Sequence, residues 1–212
     1  MIIRTRTQRT RRLYRLLFLL CIALASMQAQ AQSNISVFIR TGAHFPVSQK
    51  SSAIEPGDGF GFEGGMAYRF LPHLSAFGAW GWNSFDTKDG AIELIETGYT
   101  AGLQLDHPIG QSKFCYKVAA GIVYNHIEAE MGNHLLADSG HGLGWQGEAG
   151  ITYRLWKSFS ITPNVRYRSL QRDLHIDNIS VPVHLDYLSA GITWTVTFAG
   201  QSQGKNSACY KF

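Results

Sequence analysis

The chain has 212 residues, with 19 Lys and Arg against 15 Asp and Glu, and 45% of it is hydrophobic. That length suits one domain. The basic excess lies at Arg4, Arg6, Arg9, Arg11, Arg12 and Arg15, so it lends no support to nucleic-acid binding.

Residues 1–31 read as an export leader. The basic stretch is followed by an apolar run, Leu16 to Ala25, and by the small-residue cleavage site Ala29-Gln30-Ala31. The run is short for a membrane span, although an uncleaved anchor is the alternative. Cys21 sits inside that run behind Leu20, which argues against a lipid-modified cysteine. Losing the leader removes the six arginines and no acid, which leaves a slightly acidic domain. After Ala31 no apolar run is long enough for a spanning helix. An exported chain of this kind is either soluble or a barrel.

The expected strands follow in order. Ile35–Phe45 sets Ile35, Val37, Ile39, Thr41, Ala43 and Phe45 on one face, with Arg40, Gly42 and His44 on the other. Pro46–Asp58 reads as a polar loop. Phe60–Leu71 opposes Phe60, Phe62, Met66, Tyr68 and Phe70 to Gly61, Glu63, Gly65, Ala67 and Arg69. Pro72-His73 is a tight turn. Ser75–Phe85 is aromatic and Gly-rich on both parities, so its faces stay unassigned. Asp86–Gly90 leads to Ile92–Leu105, where Tyr99, Ala101, Leu103 and Leu105 oppose Glu96, Gly98, Thr100, Gly102 and Gln104.

After the turn His107–Gly110, Phe114–Ile127 carries Tyr116, Val118, Ala120, Ile122 and Tyr124 outward, against Lys117, Ala119, Gly121 and Asn125. A polar loop, Glu128–Gly142, precedes Leu143–Leu155, whose inner face holds Gln146, Glu148, Gly150, Thr152 and Arg154. Trp156-Lys157 turns the chain into Phe159–Ser169, with Arg166 and Arg168 on its polar face. Gln171–His184 is a third long loop. The last strand, Leu185–Phe198, alternates most cleanly. Leu188, Ala190, Ile192, Trp194, Val196 and Phe198 are apolar, and Ser189, Gly191, Thr193, Thr195 and Thr197 lie between them.

Eight such segments, joined alternately by short turns and longer loops, predict an all-β, eight-stranded, antiparallel up-and-down transmembrane β-barrel. Alternation alone also fits a soluble lipocalin-type barrel with its apolar face inward. Two features favour the membrane. Aromatic rings cluster near the ends of the apolar faces, as in interfacial girdles. The polar faces mix glycines with charges of both signs, which suits a narrow lumen filled by side chains.

With these strands, and with the aromatic-ended T-W-T-V-T-F of Thr193–Phe198, the chain resembles the eight-stranded outer-membrane β-barrel superfamily of OmpX, OmpA membrane-domain, opacity-protein and OmpW type. The resemblance covers Ile35–Phe198. It implies residence in the outer membrane of a Gram-negative bacterium, contact with outer-membrane lipid, and delivery by the barrel-assembly machinery, as a monomer. It brings no functional motif. The family signal usually ends the chain, whereas here residues 199–212 follow as an expected periplasmic tail.

The candidate site is the lumen: Arg40, Glu63, Arg69, Glu96, Lys117, Glu148, Arg154, Arg166 and Arg168. An unpaired buried charge is costly, so these residues are expected to form a salt-bridged plug, with a conducting pathway as the alternative. Within it, Glu63, Glu96 and Glu148 are set against Arg69, Arg154 and Arg166. His126, His134, His141, His175 and His184 fall on or beside the long loops but match no zinc signature, so no metal is assigned. Ser139 with His141, or Ser180 with His184, lacks the H-x-S arrangement of a lipid A deacylase, and no catalytic residue or cofactor is assigned. Cys115 and Cys209 are a possible disulfide. The expected role is envelope structure or surface interaction through the long loops. The alternatives are a narrow channel for small or apolar solutes, a lipid A-modifying enzyme, or a soluble periplasmic barrel.

Overall fold

A computed structural model describes residues 34–48, 55–87, 90, 92–132, 134–156, 158–176 and 179–199. The expected leader, and the tail beyond Ala199, lie outside the described residues. The strands are β1 (Asn34–Ser48), β2 (Pro56–Leu71), β3 (Leu74–Thr87), β4 (Glu93–Pro108) and β5 (Phe114–Met131), followed by β6 (His134–Asp138), β7 (Gly142–Arg154), β8 (Phe159–Ile176) and β9 (Ile179–Ala199).

Every pairing is antiparallel. β1 to β5 pair in succession, β5 pairs β7, then β7–β8 and β8–β9 follow, and β9 returns to β1 from Asn34↔Ala199 to Ser48↔Asp186. Eight long strands therefore close a barrel. β6 is an added five-residue strand that pairs the end of β5 and touches β8 through Asp138↔His175.

The expected faces hold. Ile39, Met66, Leu103, Ile122 and Val165 are each more than half exposed on the outer wall, and their polar neighbours are buried. A continuous apolar wall of this kind is stable only against another apolar medium. On β3, which could not be divided from the sequence, Phe77, Ala79, Asn83 and Phe85 point inward while Trp80 points out.

The long-loop expectations need correction. Much of Glu128–Gly142 is strand, because β5 runs on to Met131 and folds back as β6. Gln171–His184 is mostly a β8–β9 hairpin, paired continuously out to Ile176↔Ile179. In the first loop, β1 reaches Ser48 and β2 starts at Pro56, and residues 49–54 lie outside the described residues.

The reason is an inversion of phase. Along β8 the inward residues change from Arg166 and Arg168 to Leu170 and Leu174, while Gln171 and Asp173 face out. Along β9, Val183, Leu185 and Tyr187 are fully buried inside, whereas Leu188 and the apolar residues after it face out. β5 changes in the same way, from exposed Tyr124 to buried Ile127. Below the switch the wall faces lipid and the filling is mostly polar, apart from one small apolar layer. Above it, the wall faces water and the filling is apolar.

Candidate functional site in the lumen

Strand periodicity places every second side chain in the lumen, and barrel closure stacks them in layers. At the short-turn end lies a vestibule open to solvent. Arg69, Asp106, Lys117, Arg154 and Cys115 line it. Lys117 and Asp106 are cross-strand partners 3.8 Å apart, and Gln104 Nε2 donates to Asp106 at 3.0 Å. Arg69 donates to Asn34 Oδ1 at 3.0 Å.

Above the vestibule the lumen narrows to an apolar layer of Phe38, Phe77, Ala67, Ala79 and Ala119. The Phe38 and Phe77 rings meet edge to face with centroids 6.5 Å apart. Gly65 makes this layer possible, because a Cβ there would stand 2.7 Å from Phe38 Cζ.

The next layer is charged. Glu63 is the hub: it pairs with Arg40, accepts from Arg166 at 3.0 Å, and accepts from Arg168 Nη2 at 2.8 Å. Arg168 also donates through Nη1 to Glu96 at 2.6 Å and through Nη2 to Gln146 Oε1 at 2.6 Å. Glu96 accepts from Tyr187 Oη and from Asn125 Nδ2, each at 2.6 Å. Arg40 Nη2 lies 2.9 Å from Glu148 Oε2, an ion contact without hydrogen-bond alignment. Three arginines thus face three glutamates, all at most 5% exposed, so the layer has no net charge. His44 extends it, with Nε2 on Asn83 Oδ1 and Nδ1 on Ser189 Oγ, each at 2.9 Å.

An apolar cap covers the charges. Phe85, Leu94, Ile127, Leu170, Leu174, Val183 and Leu185 are fully buried there. Arg172 enters beside it and is held by the carbonyls of Leu143 at 2.9 Å and Gly142 at 2.6 Å.

The structure therefore brings together Arg40, Glu63, Glu96, Glu148, Arg166 and Arg168. It leaves Arg69, Arg154 and Lys117 in the vestibule, so setting the glutamates against Arg69 and Arg154 has to be corrected. Periodicity assigns a face and not a height: Arg69 lies six residues from Glu63, roughly 20 Å along the strand. Gln146 and Asn125 stand on the polar faces expected of them but outside the expected charge network, and Tyr187 and Asn83 carry no expected face. Tyr187 lies inside the expected strand Leu185–Phe198, in phase with Ser189 and Thr193, but ahead of the clean alternation that begins at Leu188. Cys115 is 2% exposed and disulfide-bonded. Cys21 and Cys209 both lie outside the described residues.

The outer face of the hairpins carries the other groups singled out. Ser139 Oγ accepts from Ile127 N at 2.8 Å and donates to Gly140 O at 2.9 Å, so its hydroxyl is engaged by backbone. His141 stacks on His126. The side chains of His175 and Ser180 are outside the described part.

Residues 17–198 match the family described as the outer membrane protein beta-barrel domain. No curated protein matches the chain by sequence. Among solved structures it is similar to the Neisserial surface protein A, with a TM-score of 0.60 at 15% identity over 78% of this chain and 98% of that one. It is similar to the outer membrane protein OprG from Pseudomonas aeruginosa, with a TM-score of 0.53 at 15% identity over 80% and 99%. A third is the outer membrane protein AlkL, determined in lipid bilayers, with a TM-score of 0.52 at 14% identity over 82% and 94%. At these identities the likeness is one of fold.

Proposed function

The chain belongs to the outer membrane protein beta-barrel domain family, and we propose that within it this protein is a closed barrel acting in envelope structure or surface interaction. It resides in the outer membrane with its apolar wall in lipid. The observation behind the closed reading is the neutral Arg40–Glu63–Glu148–Arg166–Arg168–Glu96 layer between two apolar layers. An ion crossing there would have to displace buried pairs and then pass an apolar constriction, both of which cost several kcal/mol. With the interior filled, recognition falls to the long-loop end, where the β5–β6 and β8–β9 hairpins are the extended surfaces among the described residues.

No catalytic step is part of this reading. Delivery by the barrel-assembly machinery would act on the aromatic-ended strand β9. Monomeric action is supported by the complete β1–β9 seam, which leaves no long strand of the barrel unpaired. The expected result in planar bilayers is that purified protein produces no conductance steps. Stable ion-conducting steps would overturn the closed reading.

A narrow channel for small or apolar solutes is the second reading. The open vestibule favours it, since a solute could enter the lower third of the barrel without disturbing the charged layer.

A further inference from the structure

We propose that the outer face of the β5–β6 hairpin binds one divalent first-row transition cation through His126, Glu128 and Asp138. The strand period of two puts His126 and Glu128 on the same outward side of β5. The β5–β6 register puts Asp138 directly opposite Glu128. One ligand atom from each of the three residues lies within 4.8 Å of the others.

The separation of His126 and Asp138 is informative. Nδ1 and Oδ1 are 3.5 Å apart. A charge-assisted hydrogen bond between these groups closes to about 2.7–2.9 Å. Two ligands on one tetrahedral ion, each at about 2.0–2.2 Å from it, stand roughly 3.4 Å apart. The imidazole and the carboxylate face each other at the spacing a shared ion sets.

The carboxylates also want a cation. Like charges directly opposite across a strand pair repel, and Glu128 faces Asp138 while Glu93 faces Glu130 just beyond. Among the described residues no Lys or Arg pairs with Glu128 or Asp138.

Asp138 is held in place without the ion. Gly140 N donates to its Oδ1 at 2.8 Å, and the turn is pinned to β5 by Ser139 N on Ile127 O at 3.0 Å. Outer contacts of this type fix a ligating carboxylate in advance. The His126 ring is fixed by stacking on His141, with centroids 4.6 Å apart and planes 21° from parallel, and His141 stacks in turn on Tyr124. Three protein ligands leave a fourth position to water.

One imidazole and two carboxylates suit a borderline cation such as Zn²⁺ or Co²⁺, whereas Ca²⁺ and Mg²⁺ take oxygen ligands only. The site stands above the phase switch, on the water-facing side of the wall.

The test uses the full chain, purified in detergent and stripped of metal. It is titrated with ZnCl₂ by calorimetry and with Co²⁺ by visible absorption. The expected result is one ion per chain, with Asp138→Asn and His126→Ala each weakening Zn²⁺ at least about tenfold. His134→Ala, an exposed histidine on the same hairpin outside the ligand set, should bind as the parent does, and excess Mg²⁺ or Ca²⁺ should not displace Zn²⁺. Each variant is first shown to be folded by its mobility shift on an unboiled gel. The proposal is overturned if folded Asp138→Asn binds Zn²⁺ like the parent, if His134→Ala abolishes binding, or if the parent takes up no Zn²⁺ at millimolar concentration.

Discussion

At the scale of single residues, Glu63 carries the largest share of the lumen's order. Removing its carboxylate leaves Arg40, Arg166 and Arg168 buried with one partner fewer each. Breaking a buried pair in this way costs about 3–5 kcal/mol. Glu63→Ala should therefore lower unfolding stability by about that amount in urea titrations from lipid vesicles. Glu130→Ala, on the outer face of the hairpin, should stay within about 0.5 kcal/mol of the parent. Cys115 allows a second prediction at this scale. If the leader is cleaved, Cys209 is the one other cysteine left, so non-reducing peptide mapping should recover the two in one cross-linked peptide. Recovery of both as alkylated monomers would dissolve the proposed bridge.

At the scale of elements, the sequence disclosed each strand's face more reliably than its length. Wherever lipid demands an apolar wall, a residue's phase told its side, and Leu188, Ile192 and Trp194 all face out as the alternation implied. Where the wall leaves the lipid the rule reverses, and Gln171–His184 then reads as polar loop although it is paired strand. The ion pairs were illegible for a related reason. Arg168 meets Glu63 105 positions away, which depends on how the barrel staggers its strands. The ligand trio was hidden too, since Asp138 meets Glu128 only once β6 folds back. A charge scan locates the switch. Ile192→Arg, facing lipid in mid-strand, should cost about 2–4 kcal/mol. Asp186→Arg, on the same face of β9 but above the switch, should cost well under 1 kcal/mol by the same vesicle titration. Equal costs at both positions would place the boundary elsewhere.

At the scale of the whole molecule, closure depends on strands from opposite ends of the described chain. The β1–β9 seam joins Asn34 to Ala199, so the lumen layers cannot complete until the last strand has arrived. Most of their polar members come from β1, β2, β4, β7 and β8, with Tyr187 and Thr193 added by β9. A barrel opened at that seam would expose arginines to hydrocarbon, which couples the filling of the interior to the closing of the wall.

The β8–β9 hairpin has a consequence for what lies outside the cell. From Leu188 to Ile179 the strand climbs nine residues above the phase switch. At about 3.3 Å per residue and a tilt of about 40°, the ribbon stands roughly 20 Å clear of the lipid boundary. A flexible loop of that length would lose conformational freedom on meeting a partner, about 0.5–1.5 kcal/mol for each side chain it immobilised. A paired ribbon anchored on Leu174, Val183 and Leu185 has already surrendered most of that freedom during folding. Encounter with a surface partner is then rigid docking at arm's length from the bilayer, with its lifetime set by complementarity.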